Sequence, residues 1–209
     1  MARVLAERGH DVTWWTSSWS HRLKASRTSA VRGFAEEKFT VKFAAARPYA
    51  GDVSLARLAS HRDFGRTFER LASEAVATGQ LERPDIILAS LPPLEVPEAA
   101  ARLARRLDAM LVVDVTEAWP AALERLVPGP RWLRRPIVAM LFGPVTGRTR
   151  GVFEAADAVS VAAQGHLESL PVTVLVGRPT HVCHLGAWVA EFPAPPRVIA
   201  EVPPATAEA

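Results

Sequence analysis

The chain has 209 residues, of which 49% are hydrophobic, so it is long enough to bury one full core. Its net charge is only +3, and its basic and aromatic residues follow no nucleic-acid-binding motif. The single cysteine, Cys183, excludes an intrachain disulfide and a multi-cysteine metal site. No apolar run is long enough to span a bilayer, and no signal-peptide layout is present, so we expect a cytoplasmic protein.

The amino-terminal residues have the pattern of a helix that ends and a strand that begins. Residues 1–8 predict the last turns of an amphipathic helix, and Gly9 suits the positive φ of a helix C-terminus. Residues 11–16 predict a strand, 17–37 a polar loop, and 37–43 a half-exposed strand. The chain therefore starts where a helix is finishing.

A long helix follows, capped by Ser54 and extending to about residue 78. His61 lies on its apolar stripe with Phe64 and Phe68, which favours a structural histidine over a ligand. Glu95 and the residues after it predict a second helix, since acids stand at its start and arginines at its end.

Short apolar segments alternate with these helices. Residues 85–90, 110–115 and 158–161 are continuously apolar or nearly so, which predicts parallel strands covered on both faces. Residues 172–176 suggest a further strand. Residues 131–155 look helical but broken, because Pro and Gly interrupt them at positions 136, 143, 144 and 147.

This alternation predicts an α/β fold, a doubly wound and mostly parallel, Rossmann-like sheet with right-handed crossovers. We expect one domain over residues 1–190 and a Pro/Ala-rich linker or tail over 191–209.

Ligands of such sheets bind beyond the carboxyl ends of the strands. At this edge we expect five candidate residues: Ser90, Pro92, Asp114, Glu117 and Trp119. The two carboxylates can accept hydrogen bonds from sugar hydroxyls or act as a base. Alternatively, Asp114 caps a turn, Glu117 is solvated, Ser90 ends its strand and Pro92 stiffens the turn.

Two other motifs are weaker. His181-Val182-Cys183-His184 suggests a metal site, but it lacks a second ligand pair, and an alternating strand explains it better. Neither glycine-rich phosphate signature is present, which disfavours a nicotinamide-dependent enzyme.

Residues 131–150 contain five arginines and no acid beside bulky apolar residues. Such a segment can lie on an anionic membrane surface through Arg131, Arg134 and Arg135, at the inner face of the plasma membrane. An ordinary helix that packs on the sheet, with its arginines in solvent, is the alternative.

Five segments in order resemble the N-terminal domain of family 4 glycosyltransferases of the GT-B type, in the branch that builds bacterial surface polysaccharides. They are LAERGHDVTWWTS (5–17), RPYAGDVSLARLASH (47–61), PDIILASLPP (84–93), LVVDVTEAWP (111–120) and ADAVSVAAQ (156–164). The resemblance implies two Rossmann-like domains that face a cleft. The N-terminal domain receives a glycan or lipid-linked acceptor, and the C-terminal domain binds a nucleotide-sugar donor. Transfer is metal-independent, needs no cofactor, and retains the anomeric configuration.

The chain departs from this pattern in two ways. The branch has an Arg-Asp pair before Trp-Pro, whereas Thr116-Glu117 stands here and Ala118 precedes Trp119. The first strand, its glycine-rich turn and the donor domain are also missing, so Met1 is expected to be an internal or misassigned start. We therefore expect an acceptor-side half that is inactive alone. A stand-alone, non-catalytic binding or scaffold domain is the alternative.

Overall fold

A computed structural model describes residues 1–27, 38–51, 54–117, 130–170 and 175–184. The described helices are α1 (Ala2–Glu7), α2 (Leu55–Ala77), α3 (Glu95–Leu107), α4 (Arg131–Ala155) and α5 (Gln164–Ser169). The described strands are β1 (Thr13–Ser17), β2 (Trp19–Ser20), β3 (Ala25–Ser26), β4 (Thr40–Ala44), β5 (Ile86–Leu91), β6 (Met110–Val115), β7 (Ala158–Val161) and β8 (Thr180–Val182).

The strands form three sheets. The largest is fully parallel, with the order β5-β6-β7-β8, and β1 pairs in parallel with β4. Strands β2 and β3 form a small antiparallel pair. Helices α3, α4 and α5 connect the four strands of the largest sheet, so the predicted Rossmann-like α/β fold is confirmed.

The long helix α2 begins where the sequence predicts. The hydroxyl of Ser54 accepts a hydrogen bond from the Arg57 N–H at 3.1 Å, and Phe68 is buried on the predicted stripe. The expected helix end at Gly9 is also present, since Gly9 has a φ of +89° and follows α1. A short side-chain cap and one glycine are thus sufficient to mark these two boundaries.

The prediction of strands covered on both faces is wrong for β5 and for the start of β6, whereas three of the four residues of β7 are buried. Leu91 is fully buried beneath the helices, but Ile86 and Leu88, on the other face of β5, are 56% and 43% exposed. Met110 of β6 is exposed in the same way. Among the described helices, α3 packs against one face of these strands, and α1 buries no residue at all. The apolar sequence of β5 therefore predicts a strand correctly, but the described helices bury only one face of that strand.

Two other predictions need correction. The segment 131–155 is one helix, not a broken one. Contacts of its second half hold it in place: Phe153 is buried, and the Arg148 guanidinium donates to both Glu98 carboxylate oxygens of α3 at 2.7 and 2.6 Å. The predicted loop 17–37 contains β2 and β3, while its residues 28–37 lie outside the described part of the chain.

The predicted strand 172–176 and the tail 191–209 also fall wholly or mostly outside the described residues. The boundary of the predicted domain at residue 190 therefore stays a prediction.

Helices α2 and α3 approach each other closely at Gly65. A Cβ at this position would lie 2.7 Å from the backbone oxygen of Glu95. We expect Gly65→Ala to destabilise the chain by about 1–3 kcal/mol, because the helices must separate and the gain in helix propensity is only about 1 kcal/mol. Urea denaturation measures this change.

Gly147→Ala is the matched control. Gly147 also lies inside a helix, and a Cβ there would meet no atom of the described residues within 4 Å beyond its chain neighbours and its own helix backbone. It should stabilise the chain by up to about 1 kcal/mol. A loss of stability in the control, or a gain for Gly65→Ala, would contradict the close helix contact.

Candidate functional site

A row of polar side chains crosses the four-stranded sheet near the carboxyl ends of its strands. The Cα register pairs Ser90 with Asp114, Asp114 with Ser160, and Ser160 with His181. Side chains alternate between faces with a period of two, so partners in register share one face. We call Ser90, Asp114, Ser160 and His181 the polar row. It lies on the same face as Ile86 and Leu88, because these precede Ser90 on β5 by even numbers of residues.

A hydrogen bond between two neighbouring strands holds the centre of the polar row. The Ser160 hydroxyl donates to Oδ1 of Asp114 across the β6–β7 pair. Ser160 is buried and Asp114 is half-buried, so the carboxylate is held by the sheet and partly accessible. A carboxylate has about four acceptor positions, and Asp114 therefore retains capacity for the hydroxyl groups of a ligand.

The structure brings together two of the five sequence-predicted residues. Ser90 and Asp114 are register partners on neighbouring strands. Pro92 is half-buried in the turn after β5, and Glu117 is exposed just beyond the end of β6. Trp119 lies outside the described residues.

The sequence places Ser160 in a segment expected at the ligand-binding edge, residues 160–164, but neither Ser160 nor His181 is among the five candidate residues. Ser160 follows apolar residues of a short strand, whereas His181 follows Thr180. The register that aligns both residues with Asp114 is set by pairing between distant segments. Of residues 181–184, the first two belong to β8 (Thr180–Val182), as the strand interpretation predicts, and the last two lie beyond it. In the described parts of the chain, no group of three or more His, Cys, Asp or Glu side chains is placed to hold a metal.

A second cluster of polar and aromatic groups lies beyond β1 and β4. The Tyr49 hydroxyl and Nδ1 of His21 are 2.9 Å apart and share a hydrogen bond. The rings of His61 and Tyr49 meet edge-on at 6.5 Å, and Nζ of Lys24 stands 5.2 Å from the Tyr49 ring centroid. Tyr49 is buried and His61 half-buried, as expected for a structural histidine. These contacts pack the segment after β4 against α2.

Burial lowers the pKa of His61 from its ordinary value, an effect that Arg57 and His21 reinforce and Glu95 opposes. The folded state therefore binds the His61 proton less readily than the unfolded chain, whose pKa is about 6.5. We expect the stability that His61 contributes to be complete above about pH 6.5 and to fall as the pH drops below it.

His61→Gln removes this titration while it keeps a polar side chain. Urea denaturation across this pH range should show a smaller loss of stability on acidification for the variant than for the parent chain. Equal losses of stability in the two proteins would show that other titratable groups cause the loss of stability at low pH.

Comparison with known proteins supports the fold. No family model and no curated protein sequence matches the chain. Among solved structures, the crystal structure of LpCGTa in complex with UDP matches with a TM-score of 0.54 and 14% sequence identity. The match covers 90% of this chain and 51% of LpCGTa. The match supports a Rossmann-like α/β fold for this chain. It thus spans about half the length of the structure that it matches.

No helix in the described part of the chain is long and apolar enough to cross a membrane.

Proposed function

We propose that the chain is the acceptor-side half of a GT-B glycosyltransferase of family 4, in the surface-polysaccharide branch. In this proposal the complete enzyme moves a sugar from a nucleotide-sugar donor to a glycan or lipid-linked acceptor, with retention of configuration. The donor diphosphate is held by a second domain, so this chain alone does not turn over. The enzyme acts in the cytoplasm.

The polar row is the observation that carries the acceptor role. It lies near the carboxyl ends of parallel strands, where ligands of open α/β sheets bind. Its half-buried carboxylate and its hydroxyl groups match the hydrogen-bonding needs of a sugar, whose hydroxyls each donate and accept. In addition, a solved structure with a similar fold contains UDP, which makes a nucleotide-sugar donor a reasonable partner of the complete enzyme. Pro92, Glu117 and Trp119 belong to the same proposed acceptor cleft.

A non-catalytic binding or scaffold domain of the same fold is the competing proposal. The difference is testable with the lone chain, because an acceptor-side half binds a sugar but has no diphosphate site. We expect methyl glycosides at millimolar concentration to shift the backbone amide resonances of Ser90, Asp114 and Ser160, and UDP to shift none of them.

The binding of UDP and of methyl hexosides distinguishes an acceptor-side half from a donor-side half and from a scaffold domain. Saturable binding of UDP at the polar row would assign the chain to the donor side. Failure of every methyl hexoside tested to shift the polar row would favour the scaffold domain.

Peripheral membrane contact through Arg131, Arg134 and Arg135 is a separate proposal, and their side chains lie outside those that the structure describes. The other two arginines of this segment form ion pairs within the protein, Arg148 with Glu98 and Arg150 with Glu154. We expect the chain to co-sediment with vesicles that contain phosphatidylglycerol, and charge reversal of Arg134 and Arg135 to reduce this severalfold. Co-sedimentation that charge reversal leaves unchanged would exclude the contact.

A further inference from the structure

An open cleft lies beyond the carboxyl end of β4, away from the polar row. It has a volume of about 320 Å³ and lies between the segment that follows β4 and the middle of α2. The carboxyl ends of parallel strands are where ligands of α/β sheets bind, and the volume is that of a small-molecule site. We call this site the β4–α2 cleft. Its lining residues are Ala45, Ala46, Arg47, Asp63, Arg66 and Thr67.

The strand-side wall of the β4–α2 cleft is held by hydrogen bonds to the residue after β1. The Ser18 N–H donates to the Ala44 carbonyl oxygen at 2.9 Å, and the Ser18 hydroxyl accepts from the Ala46 N–H at 3.3 Å. Ala45 and Ala46 have single methyl groups as side chains, so this wall takes little space from the cleft. Its backbone is therefore fixed in place, and the room beside it is preserved.

An ion pair orients Arg47 at the β4–α2 cleft. Nε and Nη2 of Arg47 donate to Oδ2 and Oδ1 of Asp63 at 2.5 and 3.2 Å. This hydrogen bonding lowers the pKa of Asp63 and raises the pKa of Arg47, so both groups are charged at neutral pH. A guanidinium group has five N–H donors, and Asp63 accepts from two of them. Arg47 therefore keeps three donors in an orientation that the ion pair sets.

Arg66 and Thr67 bring further donors to the same cleft. Within the described residues, neither side chain forms a hydrogen bond or an ion pair. Arg66 acts on Asp63 through space, since its charge helps to lower the pKa of that carboxyl. Two guanidinium groups thus stand against one carboxylate, and the β4–α2 cleft has an excess of positive charge beside a hydroxyl group.

We propose that the β4–α2 cleft binds the phosphoryl group of a phosphomonoester. The planar fork of arginine matches phosphate oxygens two at a time, and the Thr67 hydroxyl supplies one more donor. The volume exceeds that of a single phosphate group, so the space beside the alanine wall accommodates the uncharged part of the ligand. This site takes one phosphoryl group and is separate from the polar row and from any site for a donor diphosphate. The inference does not rest on the proposed function.

The test titrates the full chain with inorganic phosphate and with glycerol 3-phosphate. We expect both to shift the Nε–H resonance of Arg66 and the backbone amide resonance of Thr67 saturably, with dissociation constants in the millimolar range. Sodium chloride at equal ionic strength should leave both resonances in place. Glycerol 3-phosphate should bind about threefold more tightly than inorganic phosphate, because it also fills the space beside the alanine wall.

Substitutions on α2 identify the groups that bind. Arg66→Gln should weaken the binding of glycerol 3-phosphate about fivefold or more, and Thr67→Val about threefold. Arg70→Gln is the matched control, because Arg70 lies one turn farther along α2, pairs with Glu74 at 2.8 Å and does not line the cleft. We expect its affinity to equal that of the parent chain. Thermal unfolding verifies that each variant is folded.

Vesicles that contain phosphatidic acid are titrated in parallel, since this headgroup is also a phosphomonoester. Tighter binding to the vesicles than to glycerol 3-phosphate, lost in Arg66→Gln, would assign the site to a lipid headgroup, and the reverse order would assign it to a free phosphomonoester. Absence of saturable shifts with all three phosphates would overturn the proposal, and this result needs no variant. Equal loss of affinity in Arg66→Gln and Arg70→Gln, or equal shifts with sodium chloride, would also overturn it.

Discussion

Leu91→Ala is expected to lower the free energy of unfolding by about 2–5 kcal/mol, because it removes a fully buried side chain and leaves a cavity. Leu91 belongs to the cluster formed by β5, β6, β7 and the helices that cover them. Urea denaturation of the purified chain measures the loss, provided that the slope of the transition is the same in both proteins.

Leu88→Ala on the same strand is the matched control. Leu88 is 43% exposed and faces away from the helices, so we expect a loss below about 1 kcal/mol. The ratio of the two losses in unfolding free energy therefore shows whether only one face of β5 is buried. Similar losses for Leu88→Ala and Leu91→Ala would mean that both faces of β5 are buried in solution.

Asp114→Asn is expected to weaken the binding of methyl glycosides by about 10- to 100-fold, which corresponds to the 1.5–3 kcal/mol of a hydrogen bond to a charged group. The amide oxygen can still accept from the Ser160 hydroxyl, so the β6–β7 contact and the melting temperature should change little. Titration followed by amide resonances measures the affinity, and thermal unfolding verifies the fold.

Asp108→Asn makes the same chemical change away from the polar row. Its side chain is 94% exposed, and its residue has a φ of +50°, a conformation that asparagine also tolerates. We expect no change in glycoside affinity. If both variants lose affinity equally, net charge and not the carboxylate of the polar row governs binding.

Local signals in the sequence predicted the individual elements well. Ser54 and Gly9 marked helix boundaries because each acts through its own backbone or a neighbour three residues away. The apolar segments at β5, β6 and β7 are strands, as predicted. The predicted burial of both faces of β5 was wrong. The continuous apolar sequence does not reveal that Ile86 and Leu88 are exposed, because the burial of a strand face depends on which helices pack against it.

The same distinction applies to the candidate site. Ser90 and Asp114 were found because each lies at a predicted strand end, and parallel strands align those ends. Ser160 also lies at the end of a predicted strand, but its pairing with Asp114, and the presence of His181 in the row, depend on register, which is fixed by hydrogen bonding between segments far apart in sequence. The continuity of α4 was missed for a related reason, since the Arg148–Glu98 pair and the buried Phe153 that hold it are tertiary contacts.

The shared face of Leu88 and Asp114 has an electrostatic consequence. Any segment that covers Ile86 and Leu88 also removes water from beside the carboxylate of Asp114, which stands in register with Ser90 two residues farther along β5. A lower local dielectric strengthens every hydrogen bond that this carboxylate accepts from a ligand, and raises the cost of leaving one unmade. Cover of Ile86 and Leu88 and affinity for a polar ligand are therefore thermodynamically linked through this single face.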